Sequence, residues 1–103
     1  MYNIEFLPLA KKDIYYTLYY ISKELKNPTA ATTLAKKIID NVNTILTFPY
    51  GTSVYKTSKP LKHEYRAVKI NNYLLFYTIN EKDKIIIISR FIYQKMNINN
   101  MIG

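Results

Sequence analysis

Three β-prone segments crowd into the last 40 residues, and they constrain the fold more than any other feature. Glu64–Ile70, Tyr73–Ile79 and Lys84–Ile92 are rich in aliphatic and aromatic side chains, with only Asn71-Asn72 and Asn80–Asp83 between them. Asparagine and aspartate suit such gaps because they tolerate a left-handed backbone. Connections this short permit hairpins and not crossovers, so the segments form a three-stranded meander. The last of them carries Ile85-Ile86-Ile87-Ile88, apolar at every position, which places it inside the sheet with both faces at least partly covered.

The cover must come from upstream. Tyr2–Phe6 alternates apolar and polar residues as a half-buried strand does, and Pro8 is expected to end it. From Ala10 to about Lys26, Ile14, Leu18, Ile21 and Leu25 recur at helical spacing, flanked by Tyr15, Tyr16, Tyr19 and Tyr20. Asn27-Pro28 stops that helix and starts another: asparagine can cap it, and proline fits a first turn where no amide bond is lost. The second helix runs to about Phe48, with Leu34, Ala35, Ile38, Ile39, Val42, Ile45 and Leu46 making a wide apolar stripe. Two amphipathic helices joined this tightly form an antiparallel hairpin. Phe48-Pro49-Tyr50-Gly51 breaks the second helix, and the polar segment onward to Lys62 reads as a loop. The expectation is one α+β domain over residues 1–103, ordered β-α-α-β-β-β, with the hairpin packed on a mainly antiparallel four-stranded sheet. The far face of the sheet is expected to be concave, partly apolar and basic. The Asn-rich tail from Gln94 to Gly103 has room for one helical turn.

Composition excludes several chemistries. The chain has no cysteine and one histidine, which removes disulfides, thiolate metal sites and cysteine nucleophiles and argues against zinc; no cofactor or metal is expected. The first twenty residues are interrupted by Glu5, Lys11, Lys12 and Asp13, and no apolar run approaches the ~20 residues a bilayer requires. A cytoplasmic protein without a membrane partner is the expectation. Fifteen basic against seven acidic side chains give a net charge of +8. Residues 1–50 hold six basic and four acidic groups, leaving +2, whereas residues 51–103 hold nine and three, leaving +6. A basic surface in the second half suits RNA, DNA or an acidic protein, although lysine-rich composition also serves solubility alone.

The element order and several short strings resemble the RelE/ParE superfamily of type II toxin–antitoxin toxins. They are Asn27-Pro28 with Ala30-Ala31, Phe48-Pro49, Glu64-Tyr65-Arg66, Asn72-Tyr73-Leu74-Leu75-Phe76-Tyr77 and the closing Arg90-Phe91-Ile92-Tyr93. The resemblance spans nearly the whole chain. It implies a growth-inhibiting toxin, of the kind that serves plasmid stabilization, bound and silenced by a cognate antitoxin that is acidic and partly disordered when free, in a toxin–antitoxin hetero-oligomer. It also implies one of two targets: the ribosome with its mRNA, cut by a RelE-like endonuclease, or DNA gyrase, inhibited by a ParE-like toxin.

Metal-free RNA cleavage needs a base for the 2′-hydroxyl, a cation for the phosphate and an acid for the leaving oxygen. Arg66, Tyr93 and Lys95 are the candidates if the chain is such a nuclease. The resemblance to RelE enzymes falters on the middle strand, where an arginine usually follows the opening tyrosine and this chain has Leu74 after Tyr73; no histidine follows His63 either. The ParE branch is closer, because its tails often run basic residue, methionine, then a short acidic or amide residue, as Lys95-Met96-Asn97 does. Lys56, Lys59, Lys62, His63, Arg66 and Arg90 are the candidate contacts to a nucleic acid or protein target. Each has a structural alternative: Arg66 can pair with Glu64 or Glu81, Arg90 with an acidic helix residue, and the lysines and His63 can simply be solvated. A non-toxic nucleic-acid-binding module and a decayed toxin that keeps only antitoxin binding are the readings from other classes.

Overall fold

A computed structural model describes residues 1–57, 61–96, 98, 101 and 102. Strand β1 is Asn3–Phe6, helix α1 Pro8–Tyr19, helix α2 Pro28–Thr47, and strands β2, β3 and β4 are Arg66–Ile70, Tyr73–Asn80 and Ile85–Tyr93. The order is β-α-α-β-β-β, as the residue pattern requires, and the four strands lie in the order β1-β4-β3-β2. β2, β3 and β4 pair antiparallel, while β1 runs parallel to β4 with Asn3 beside Ile85 and Phe6 beside Ile88. A parallel pair needs a crossover, and the helical hairpin begins it. The four isoleucines of β4 therefore sit between β1 and β3, with Ile86 and Ile88 fully buried.

Three local expectations are corrected. Pro8 does not merely end β1; it occupies the first turn of α1, where its missing N–H costs nothing. The first helix does not continue as α-helix to Lys26 but widens into a π-helical turn over Tyr20–Glu24. It closes at Lys26 with φ 52°, and the wider turn leaves Leu25 56% exposed, outside the apolar stripe. In α2, Ile39 is 60% exposed: Leu34, Ile38, Val42 and Ile45 form the buried stripe, and Ile39 stands about 100° around the helix from Ile38. The cap at Asn27 is as expected, its side-chain oxygen accepting the Ala30 N–H at 3.1 Å, with Pro28 following.

Two apolar clusters flank the sheet. The main one packs Leu34, Ile38 and Ile45 of α2 and Ala10 of α1 against Leu75, Tyr77, Ile86, Ile88 and Phe91. The far face is not left open along its length. Phe76 and Ile92 are covered there by Ile98 and Ile102 of the tail and by Tyr55, Leu61 and Tyr65 from the loop side. The cause is the sheet's second set of apolar side chains, which would otherwise face water. A turn of the tail presents both isoleucines, with the Met101 and Ile102 amides donating to the Ile98 carbonyl.

Candidate functional site

An open cleft of about 480 Å³ lies where the chain enters β2. Its placement follows from the loop after α2, which turns back along the sheet edge: Val54 bridges to Arg66, and the Tyr55 amide donates to the Tyr65 carbonyl at 2.7 Å. This brings Tyr50 over the mouth of the strand, facing His63, Glu64, Tyr65 and Arg66, with Thr78 and Ser89 behind them. Arg66 is held on three sides. One guanidinium nitrogen donates to the Thr52 carbonyl, another stands 3.7 Å from Glu64, and the Tyr50 ring centroid is 5.0 Å away. Its side chain is 14% exposed. Of its two sequence-level partners, Glu64 is the one it meets.

Glu81, in the β3–β4 turn, fixes Tyr50 in turn. Its carboxylate accepts the hydroxyls of Tyr50 and Tyr2, each at 2.7 Å, and the ammonium of Lys84. The lysine bond, then the two tyrosine bonds, hold the Glu81 carboxyl down at about 2. The same carboxylate pushes the Tyr50 phenol up to about 12, chiefly through their hydrogen bond. Tyr50 is thus a neutral donor with a fixed ring, and not an acid or base near neutrality.

Around the corner from this cleft a second basin of about 410 Å³ contains Lys56 and Lys62 and shares His63, Glu64 and Tyr65 with the first. The structure therefore gathers Lys56, Lys62, His63 and Arg66 along one path. Lys59 lies outside the described residues, as does Asn97 of the Lys95-Met96-Asn97 string.

The remaining candidates are elsewhere. Arg66 aligns with Tyr77 of β3, whereas Tyr93 aligns with Tyr73, four residues along the same strand. At about 3.3 Å per residue that is roughly 13 Å. Arg66 is thus not brought together with Tyr93, nor with Lys95 just beyond it. Tyr93 rests edge to face on Tyr73 at 5.7 Å, with Lys95 and Met96 exposed beside it. The Tyr73 phenol is pushed up by burial and by its neighbours Tyr93 and Tyr20. Arg90 donates twice to Asp13 of α1, at 2.7 and 3.1 Å, and once to the Met101 carbonyl at 3.0 Å. Asp13 also accepts the Phe91 N–H at 3.0 Å, just past the bulge where Ser89 stands between the paired positions Ile88 and Arg90. Both side chains of the pair are 15% exposed. Leu74, where RelE-like chains tend to carry arginine, belongs to the apolar cluster on the far face. Among the described residues no three His, Asp or Glu side chains gather as metal ligands.

A separate groove of about 340 Å³ runs between α1 and α2, with Tyr15 and Tyr19 on one bank and Ala31, Thr32 and Ala35 on the other. The two tyrosine rings stack, 6.1 Å apart and 25° from parallel. Sequence reasoning placed these tyrosines at the edge of the core and missed the groove. The small residues Ala31 and Ala35, one helical turn apart, were the available signal. Tyr50 and Glu81 carried no signal, because nothing local marks a turn carboxylate as the anchor of a tyrosine 31 positions away.

A family model described as the ParE toxin of the type II toxin–antitoxin system parDE matches residues 4–98. The fold is similar to that in the chromosomal ParDE toxin–antitoxin system from P. aeruginosa, with TM-score 0.70 and 15% identity over 90% of this chain and 96% of that one. It is also similar to the archaeal RelE–RelB complex from Pyrococcus horikoshii OT3, with TM-score 0.60 and 15% identity over 91% and 96%. None of the curated proteins compared with the sequence is a significant match.

Proposed function

This chain belongs to the ParE toxin family of type II toxin–antitoxin systems, and from that premise we propose that it stops growth in the cytoplasm by binding and inhibiting DNA gyrase, without catalytic turnover. One observation carries the choice over ribosome-dependent mRNA cleavage. The groups that would have to act together on a phosphodiester are apart, Arg66 aligning with Tyr77 of β3 and Tyr93, with Lys95 beyond it, aligning four residues away at Tyr73, and the residue after Tyr73 is Leu74. General acid–base work needs its groups within hydrogen-bond reach of one reacting centre. Both arginines are moreover engaged by internal partners, Arg66 with Thr52 and Glu64 and Arg90 with Asp13. A basic surface with dispersed cations serves docking onto a protein–DNA complex better than it serves phosphoryl chemistry.

The cognate antitoxin is an acidic segment, partly disordered when free, that folds onto the toxin and forms a hetero-oligomer with it. The two similar structures come from a ParDE toxin–antitoxin system and a RelE–RelB complex. The groove between α1 and α2 offers such a segment an apolar floor and the cation of Lys23 at its rim. An amphipathic helix with acidic flanks fits both features.

Induction of the chain without its antitoxin, followed by parallel measurement of replication, translation and mRNA integrity, tests the target. DNA synthesis is expected to fail first, with mRNA intact. Codon-positioned cuts in primer extension, with replication initially normal, would assign the chain to the nuclease reading instead. Growth unaffected by induction would leave a decayed toxin or a non-toxic binding module.

A further inference from the structure

On the premise that gyrase is the target, we infer that the toxin grips it through a tyrosine-walled pocket between α1 and the end of β4, where a gyrase carboxylate and its apolar neighbour are received. The pocket, about 240 Å³, is walled by Tyr16 of α1, by Tyr73, Phe91 and Tyr93 of the sheet, and by Met96 and Met101. It is smaller than the roughly 300–1,000 Å³ of a small-molecule site and fits one or two side chains. Tyr16, Tyr93 and Met96 converge on it although each faces water. Tyrosine and methionine are residues that protein interfaces gather. The walls are also fixed before any partner arrives, which lowers the entropy lost on binding. The Tyr73 ring stacks on Phe91 at 4.9 Å, Tyr93 stands edge to face on Tyr73, and the Phe91 amide is tied to Asp13.

What such a pocket takes is shown by a similar donor set elsewhere in the molecule. Glu81 collects the hydroxyls of Tyr2 and Tyr50 and the ammonium of Lys84, two phenols and a lysine around one carboxylate. The pocket repeats the donors without the acceptor. Burial, then Tyr93 and Tyr20, push the Tyr73 phenol up, so three phenols share one rim. Lys95 is exposed beside them, in the turn that the Met96 amide closes onto the Tyr93 carbonyl. None of these three hydroxyls bonds another described residue, and Lys95 pairs with no described acid. Asp13, the one acid in the lining, is taken up by Arg90 and the Phe91 amide. That pairing also withholds the guanidinium fork that a phosphate would seek. A lone ammonium beside phenylalanine and methionine walls suits a carboxylate with an apolar neighbour instead. The antitoxin groove lies on the flank of α1 that faces α2, bounded by Tyr15 and Tyr19, whereas Tyr16 turns to the sheet. The pocket is therefore left to the target.

The test measures binding of the purified full-length chain to immobilised gyrase by surface plasmon resonance, with inhibition of supercoiling read beside it. Tyr73→Phe with Tyr93→Phe keeps both rings and removes both hydroxyls. It should weaken gyrase binding and inhibition about tenfold or more, as the loss of hydrogen bonds to a charged group does. Lys95→Glu should weaken both by a similar factor. Lys36→Glu, which makes the same charge change at an exposed position of α2 outside the pocket, should leave both unchanged. Circular dichroism checks that each variant is folded. Gyrase bound equally by the parent and the phenylalanine pair would overturn the inference and leave gyrase as the target. Equal loss in Lys95→Glu and Lys36→Glu would overturn it in favour of net charge alone. Unchanged gyrase binding with weakened antitoxin binding would overturn it too and give the pocket to the antitoxin. A parent chain that neither binds gyrase nor slows supercoiling would remove the target itself, and the pocket's role with it.

Discussion

At the scale of single residues, two carboxylates organise the molecule. Asp13 and Arg90 are mostly buried, and removing either leaves the other charge without a partner. Arg90→Ala or Asp13→Ala is therefore expected to cost about 3 kcal/mol in urea unfolding, where an exposed ion pair would cost well under 1. Glu81 is exposed, so its value lies in geometry and in pH. Its folded pKa of about 2 lies below the ordinary 4.5, so its contribution is fully present above pH 4.5 and is lost as pH falls toward 2. Acid titration should show stability declining across that window, and Glu81→Gln should flatten this part of the curve. A variant curve that overlays the parent would show that the tyrosine and lysine bonds to Glu81 do not persist in solution. Neither carboxylate's partners could be read from sequence, where Glu81 stood only as a possible partner of Arg66 and meets Tyr2, Tyr50 and Lys84 instead. Arg90 pairs with a residue 77 positions away, and only its general alternative, an acidic helix residue, was legible.

At the scale of elements, what could be read locally is what the chain does locally. Asn27-Pro28 reads as a cap because both the hydrogen bond to Ala30 and the fixed proline φ act within four residues. Asn27→Ala should accordingly destabilise the chain by about 1 kcal/mol, and Asn27→Ser by much less, in the same urea assay. The meander was legible for the same reason: Asn71 adopts φ 54° in a two-residue connection. The π-helical turn at Tyr20–Glu24 was not, since helical spacing alone does not reveal a widened turn. Nor was the covering of the far face, which depends on Ile98 and Ile102 returning across β4 and β3. The groove between the helices belongs to this scale too. Tyr15→Asp with Tyr19→Asp is expected to weaken antitoxin binding by more than tenfold in calorimetry while growth arrest persists. Equal affinity for parent and variant would move the antitoxin off that groove.

At the scale of the whole molecule, charge and fold separate the roles. The helical hairpin carries the tyrosine groove, the entry to β2 carries the basic basins, and the end of β4 carries Tyr93, Lys95 and Met96. The element order made the superfamily legible, and Leu74 with the Lys95-Met96-Asn97 string pointed to its ParE branch, to which the family match also belongs. What the spacing of Arg66, Tyr93 and Lys95 in sequence does not give is their separation across the sheet. That separation supports the proposal of a toxin that binds and does not cleave. It is tested most directly by titrating the purified chain against a fixed amount of DNA gyrase in a supercoiling assay, with a ribosome-programmed mRNA incubated in parallel. Supercoiling is predicted to fall in proportion to toxin added and to vanish near one toxin per gyrase subunit targeted, with the mRNA uncut. Undiminished supercoiling at a large excess of toxin, together with catalytic cutting of the mRNA, would contradict the account.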